Sequence, residues 1–302
     1  MAGKLKFSPK GFLDFLGKSI FEVAQNQNHK LELTGYKYKS DKIPDEFDGF
    51  RIVHLSDMHN CVYGNEADDL LRKVKNNKPD IIVITGDSFD SRRRQYFDSL
   101  DIIKKLPTIA PVYFVTGNHE ELCPELKENF LSQIKECGVK VLDCETEEIK
   151  RDDASIYLSG IRDFTSFAIE MGLLKKALDK NLDCQELDAM KNAFGEKLTS
   201  FADEKPDGFN ILLSHRPEMN DTYSTNNFDL VFCGHAHGGQ FRIPPVGAIY
   251  SPGQGFLPQY SEGPHLFGNT TMIVSRGLGN SSFPLRINNR PEIVVCELHK
   301  NQ

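Results

Sequence analysis

Short apolar runs and amphipathic stretches follow one another along the chain. Ile81 to Ile84 is an unbroken β-branched run between Asp80 and Thr85-Gly86, the pattern of a strand covered on both faces. Similar runs at 50–55, 111–116, 139–142, 156–161, 209–213, 228–233, 271–275 and 292–298 predict further strands. Residues 67–77, 96–106 and 126–137 instead place apolar residues at helical spacing, with Leu70, Leu71 and Val74 facing inward in the first. Strands alternating with helices predict βαβ units and a layered α/β architecture. Residues 31–38 alternate in the manner of an edge strand. Residues 164–203 are helical and charged, as expected of a cap or insertion, and the chain from 241 is rich in Gly and Pro and predicts a long loop.

Residues 1–48 precede the first strong strand and form a separate N-terminal part, an amphipathic helix plus the edge strand; 49–302 read as a single domain. Phe12, Leu13, Phe15, Leu16, Ile20, Phe21 and Val23 make an apolar stripe flanked by Lys4, Lys6, Lys10 and Lys18. Such a stripe packs on its own domain or on a twin subunit, the commoner use, or lies on an anionic membrane surface through residues 10–25.

Composition narrows the picture. The chain has 302 residues, 39% hydrophobic and 26% charged, with a net charge of −7. That is a globular composition with a sizeable core, and the acidic balance argues against nucleic acid as a partner. Seven cysteines without a CxxC pair indicate reduced thiols, with Cys233 and Cys296 as core residues. No apolar stretch of transmembrane length occurs and no signal peptide is evident. The expected location is cytoplasmic, with peripheral contact at the inner membrane face as the variant that the N-terminal stripe raises.

The candidate chemistry lies where the strands stop. Successive apolar runs deliver Asp57 and His59, Asp87, Asn118 and His119, His215, then His235 and His237. In a parallel sheet such ends share one edge. An Asp after a strand is often only a helix cap, and a lone His is more often structural than a ligand. Five of nine histidines placed directly after strands point to a metal site. Residues two apart on an extended segment are about 6–7 Å apart at Cα, whereas paired ions sit about 3.5–4 Å apart. His235 and His237 can therefore serve different ions, while Asp87 has two oxygens to offer both. Mixed carboxylate, imidazole and amide donors suit Mn, Fe or Zn. Arg92 to Arg94 could meet a phosphate or simply be solvated. His54 lies within a strand and reads as structural, and His265 has no place in the pattern.

In order, the blocks are Asp57-Met58-His59, Gly86-Asp87-Ser88-Phe89-Asp90, Gly117-Asn118-His119-Glu120, His215 and Gly234-His235-Ala236-His237. This set resembles the calcineurin-like metallophosphoesterases, although Ser56 and Asn60 stand where that family often has glycine. The stretches 234–244 and 275–280 are similar to a bacterial branch with phosphodiesterase and nucleotide-sugar pyrophosphatase-like members. The resemblance implies a β-sandwich of two mixed sheets flanked by helices, a four-layer αββα arrangement. It implies two divalent ions, one held by Asp57, His59, His237 and Asp87, the other by Asp87, Asn118, His215 and His235. Asp90 then supports the site from behind, and His119 is the candidate general acid, or else a hydrogen-bonding partner of Asp57 or Asp90. The implied reaction is in-line attack on a phosphate ester by a metal-bridging hydroxide, with a small-molecule, lipid or nucleotide-sugar substrate. A phosphomonoesterase or protein phosphatase is the alternative within enzymes. A catalytically silent scaffold is the alternative outside them.

Overall fold

A computed structural model describes residues 30–280 and 283–301. The predicted N-terminal helix over 10–25 lies outside the described residues. The strands in chain order are β1 (Glu32–Ser40), β2 (Phe50–Leu55), β3 (Ile81–Ile84), β4 (Val112–Phe114), β5 (Lys140–Val141), β6 (Glu145–Arg151), β7 (Ala154–Gly160), β8 (Asn210–Leu213), β9 (Leu230–Cys233), β10 (Arg242–Ile243), β11 (Gly247–Ala248), β12 (Tyr250–Ser251), β13 (Gly255–Phe256), β14 (Gly263–Phe267), β15 (Thr270–Val274) and β16 (Glu292–Lys300).

One six-stranded sheet has the order β1-β16-β2-β3-β4-β5, the other β14-β15-β9-β8-β7-β6. Both are mixed: β2 to β5 run parallel while β16 opposes β2, and β7, β8, β9 and β15 run parallel between antiparallel edges. The period of two along β3 sorts its side chains between two cores. Ile81 and Val83 meet Leu158, Ile211 and Phe232 of the second sheet. Ile82 and Ile84 meet Leu70, Leu100 and Phe130 of the helices Asp68–Asn76, Phe97–Lys105 and Pro124–Glu136. A third core packs the helix Cys184–Ala202, through Met190, Phe194 and Leu198, on Leu212, Val231 and Val274 of the second sheet. The layers are therefore helix, sheet, sheet, helix, as expected. Residues 164–203 supply the outer helical layer on this side.

Phe194 is fully buried and meets Phe164 and Tyr223 edge-on, each with ring centroids 6.5 Å away. Phe194→Ala is expected to cost about 3–5 kcal/mol, the range for a core Phe that leaves a cavity. Denaturant unfolding checks this: a midpoint unchanged from wild type would mean the outer helix contributes little to the domain.

His54 is structural, as expected. Its Nε2 lies 2.7 Å from Thr85 Oγ1 and its ring packs edge-on against Phe232. The loop expected from 241 contains two small antiparallel hairpins, β10-β11 and β12-β13, before β14 rejoins the sheet.

Candidate metal centre

The first sheet presents Asp57, Asp87 and Asn118 just past β2, β3 and β4. The second presents His215 and His235 past β8 and β9. All meet at the edge where the parallel strands end. Getting there takes an unusual backbone. Asp57, His59, Asp87, His235 and His237 all have φ between 45° and 63°, the left-handed region that L-residues rarely adopt and where Asp and His are among the more tolerated. Two glycines allow the close approach. A Cβ on Gly86, itself at φ +85°, would lie 2.2 Å from Gly117 N, and one on Gly234 would lie 1.8 Å from Ser56 Oγ.

Two buried groups of donor atoms result. In one, atoms of Asp57, His59, Asp87 and His237 all lie within 4.8 Å of one another; in the other, those of Asp87, His215 and His235 do. Asp87 belongs to both. Oδ1 accepts the His119 N–H at 2.8 Å. It is Oδ2 that faces His215 Nε2 at 3.3 Å and His59 Nε2 at 3.7 Å. Asn118 Oδ1 joins the second group, 3.2 Å from His215 Nε2. His237 Nε2 sits 3.3 Å from both Asp57 Oδ1 and His59 Nε2.

These donors are oriented from behind. His215 has Nδ1 2.6 Å from the Thr85 carbonyl, which fixes its proton there and turns Nε2 inward. Asp57 Oδ2 accepts from Ser56 Oγ at 2.6 Å and from His235 N at 3.0 Å. Burial holds His59 and His235 well below the usual imidazole range and His237 down to about 3, so these rings are neutral and keep lone pairs for a cation. At His215 burial acts the same way, but the Asp87 carboxylate outweighs it and raises the ring to about 10. The carboxylate thus favours positive charge beside it. Neutral imidazoles at His59, His235 and His237, two carboxylates and an amide oxygen, gathered in two adjoining groups, fit divalent transition metals.

His119 stands beside this cluster and is nearly buried. Its Nδ1 accepts the Ser91 N–H at 2.9 Å, so the neutral ring carries its proton on Nε2, which lies 4.0 Å from Asp87 Oδ2. Asp90 does not reach the donor cluster. It pairs with Arg92, whose Nε is 2.8 Å from Oδ1, and lies 3.5 Å from His119 Nδ1. A cavity of about 290 Å³ opens over Asp87, Asn118, His119, His235 and His237. Leu122, Ala177, Leu178 and Pro252 form its apolar wall, and Arg92 and Lys180 its cationic one.

Sequence reasoning missed three supports. Glu120 is fully buried, and its carboxylate accepts from Asp87 N and Gly117 N at 2.8 Å each and from Ser88 N at 2.7 Å, binding two ligand loops together. Burial and the nearby Asp87 push it up to about 8 against those amide donors. Arg216, next to His215, reaches Asp163 at 2.6 Å and His235 Nε2 at 3.2 Å. Arg286, fully buried, donates to the Arg276 carbonyl at 2.8 Å and lies 3.4 Å from His237 Nδ1. Only Glu120 and Arg216 had any signal, their adjacency to motif residues.

Glu120→Gln keeps the shape but turns an NH2 toward backbone donors. The loss is expected to be about 1–3 kcal/mol of stability and roughly 10–100-fold in cation affinity. Melting curves and metal titration measure both. Unchanged affinity would mean the loops hold their positions without the carboxylate.

A buried histidine and carboxylate cluster at the strand ends of a two-sheet sandwich defines a metallohydrolase. The signature of the calcineurin-like phosphoesterase family matches residues 50–239, and the chain belongs to that family, making it a phosphoric ester hydrolase. It is 28% identical over 277 residues to the uncharacterized metallophosphoesterase YkuE of Bacillus subtilis, covering 89% of this chain and 86% of YkuE. It is 27% identical over 294 residues to the phosphodiesterase YaeI of Escherichia coli, covering 95% and 92%. Among solved structures, the sulfate thiohydrolase SoxB of Thermus thermophilus shares the fold, with a TM-score of 0.50 and 12% identity over 85% of this chain and 57% of that one. No helix among the described residues is long and apolar enough to cross a membrane.

Proposed function

We propose that this chain is a binuclear phosphodiesterase or pyrophosphatase acting on a small phosphate ester. The observation that carries the reading is Asp87 Oδ2, which faces both donor groups. Asp57, His59 and His237 would hold one divalent ion with Asp87, and Asn118, His215 and His235 would hold a second with it. Mn, Fe and Zn suit these donors. Such ions supply Lewis acidity and a deprotonated water at neutral pH. Against two divalent charges the chain sets two carboxylates, Asp57 and Asp87, which leaves positive charge for an anionic substrate. Arg92 and Lys180 add to it from the cavity wall. Leu122, Ala177, Leu178 and Pro252 limit water around the phosphate. His119 presents Nε2–H to the cavity as the donor for the leaving oxygen. Its Nδ1 accepts the Ser91 N–H at 2.9 Å, which keeps the proton on Nε2, facing the cavity. Asp90 holds Arg92 and backs His119.

The relative named as a phosphodiesterase supports a diester over a monoester. The test is a panel on protein reconstituted with Mn: bis-p-nitrophenyl phosphate, p-nitrophenyl phosphate, a cyclic nucleotide and a nucleotide-sugar. Faster turnover of a diester or pyrophosphate is expected. A large preference for the monoester would favour a phosphomonoesterase or protein phosphatase. Full metal loading without turnover of any substrate would favour a scaffold.

A further inference from the structure

We propose that Glu218 is the residue that positions His235 as a metal ligand, by accepting the Nε2–H of that ring behind the second donor group. The inference rests on the two-ion reading above and concerns how one of its ligands is held. His235 differs from its neighbours in the nitrogen it offers. Its Nδ1 faces the donors, 3.2 Å from His215 Nε2, whereas His59, His215 and His237 turn Nε2 inward. A neutral imidazole that gives its Nδ1 lone pair to a cation carries its proton on Nε2. Ligand rings of this kind are oriented by an acceptor at that second nitrogen. Two side chains stand against it: Arg216 Nη1 is 3.2 Å from Nε2 and Glu218 Oε1 is 3.9 Å from it.

Arg216 is not that acceptor. A guanidinium carries donors only, and this one is fixed in place. Its Nε lies 2.6 Å from Asp163 Oδ2, its Nη2 3.0 Å from Thr165 Oγ1, and its plane 4.2 Å from the centroid of Phe164. Arg216 suits an Nε2 that bears a lone pair, not one that bears a proton. Once the ring is a ligand, what remains for Arg216 is to hold Glu218, whose Oε1 lies 3.3 Å from Nη1. Glu218 has capacity to spare. Its side chain is 10% accessible, and its Oε2 is buried without a hydrogen-bond partner. A buried carboxylate oxygen left unused is costly. Bringing 3.9 Å to hydrogen-bond distance takes about 1 Å, within reach of a small turn of either side chain. The backbone delivers Glu218 to this place, in the short turn Pro217–Met219 directly after His215 and Arg216. A second loop closes over it. Gly253 has φ +77°, and a Cβ there would lie 2.0 Å from Glu218 Oε1. The loop that sends Pro252 into the cavity wall therefore also presses on this carboxylate and keeps it near the ring.

The experiment counts ions. The full chain, stripped by chelation, is dialysed to equilibrium against a range of free Mn²⁺ concentrations, and bound metal per chain is measured by elemental analysis. Wild type is compared with Glu218→Met, which keeps the length and removes the acceptor, and Glu218→Gln, which keeps an oxygen facing Arg216 and Nε2. Circular dichroism melts of the metal-free proteins check the fold. Wild type is expected to fill two sites. Glu218→Met should fill one at the wild-type concentration and the other at a concentration roughly 10–100-fold higher, the usual effect of losing such a partner. Glu218→Gln should bind its second ion more tightly than Glu218→Met. Should the methionine protein not fold, wild type alone still decides: in the zinc-loaded protein, imidazole ¹⁵N spectra should show His235 protonated at Nε2 and bound through Nδ1. Binding is read whether or not any ester is cleaved. Two ions held as tightly by Glu218→Met as by wild type overturn the role of Glu218 and leave the two-ion reading standing. Equal weakening of both ions in a folded variant overturns it too, since a general loss of packing acts on both groups alike. So does a glutamine variant no better than the methionine one, or a His235 bound through Nε2. A wild-type protein that takes up one ion or none ends the two-ion reading and this inference with it.

Discussion

Asp87→Asn is expected to lower hydrolysis by more than about a thousandfold and to deplete bound cations at both donor groups. The reason is positional. Oδ1 accepts the His119 N–H, and an asparagine would keep its carbonyl oxygen there to preserve that bond. Its NH2 would then stand where Oδ2 faces His59 and His215. An amide nitrogen has no lone pair to give and would aim donors at the point where a cation is needed. The fold should survive, because the backbone contacts of the Asp87 loop run through Glu120 and the Asp87 carbonyl, which accepts from His59 N at 3.0 Å. Elemental analysis of the folded variant decides the matter. Two ions still tightly held would end the shared-ligand assignment, and loss of one alone would confine Asp87 to a single group.

The second large effect concerns His119. If its Nε2–H protonates the leaving oxygen, His119→Ala should slow esters with alkoxide leaving groups by about 10²–10⁴-fold, the usual worth of general acid catalysis. Nitrophenyl esters, whose leaving group departs without a proton, should slow far less. The contrast separates this role from simple support, because His119 also anchors Asp87 through its backbone N–H, which alanine retains. Equal losses on both substrate types, with a fall in metal content, would mean that the ring only orients its neighbours through Asp90 and Ser91.

The donors were legible because each follows an apolar run. Ile81–Ile84 before Asp87, Asn210–Leu213 before His215 and Leu230–Cys233 before His235 announce themselves by hydrophobicity, and strand ends in parallel sheets converge. The supports were not legible. Glu120 reaches an amide 33 residues away, and Arg216 a carboxylate 53 away; neither leaves a periodic trace. β6 was missed since Glu145–Arg151 is charged except for Thr146 and a single aliphatic, Ile149, as exposed edge strands are to avoid unwanted pairing. The short hairpins at 242–256 are too rich in Gly and Pro to show a strand period. That Asp87 Oδ1 accepts the His119 N–H could not be read either, because the donor is a backbone group.

The donors are also divided between the two sheets: Asp57, Asp87 and Asn118 ride on one, His215 and His235 on the other. Mechanically, a cation gripped from both sides is a rivet through two plates. Its binding energy would then resist sliding of one sheet over the other as well as supporting chemistry, and because a ligand bound only by the folded form stabilises it by mass action, chelation should loosen the sandwich first at this rim. The same rivet would set how far the cavity can yield to a larger ester, so metal occupancy would tune selectivity as well as rate.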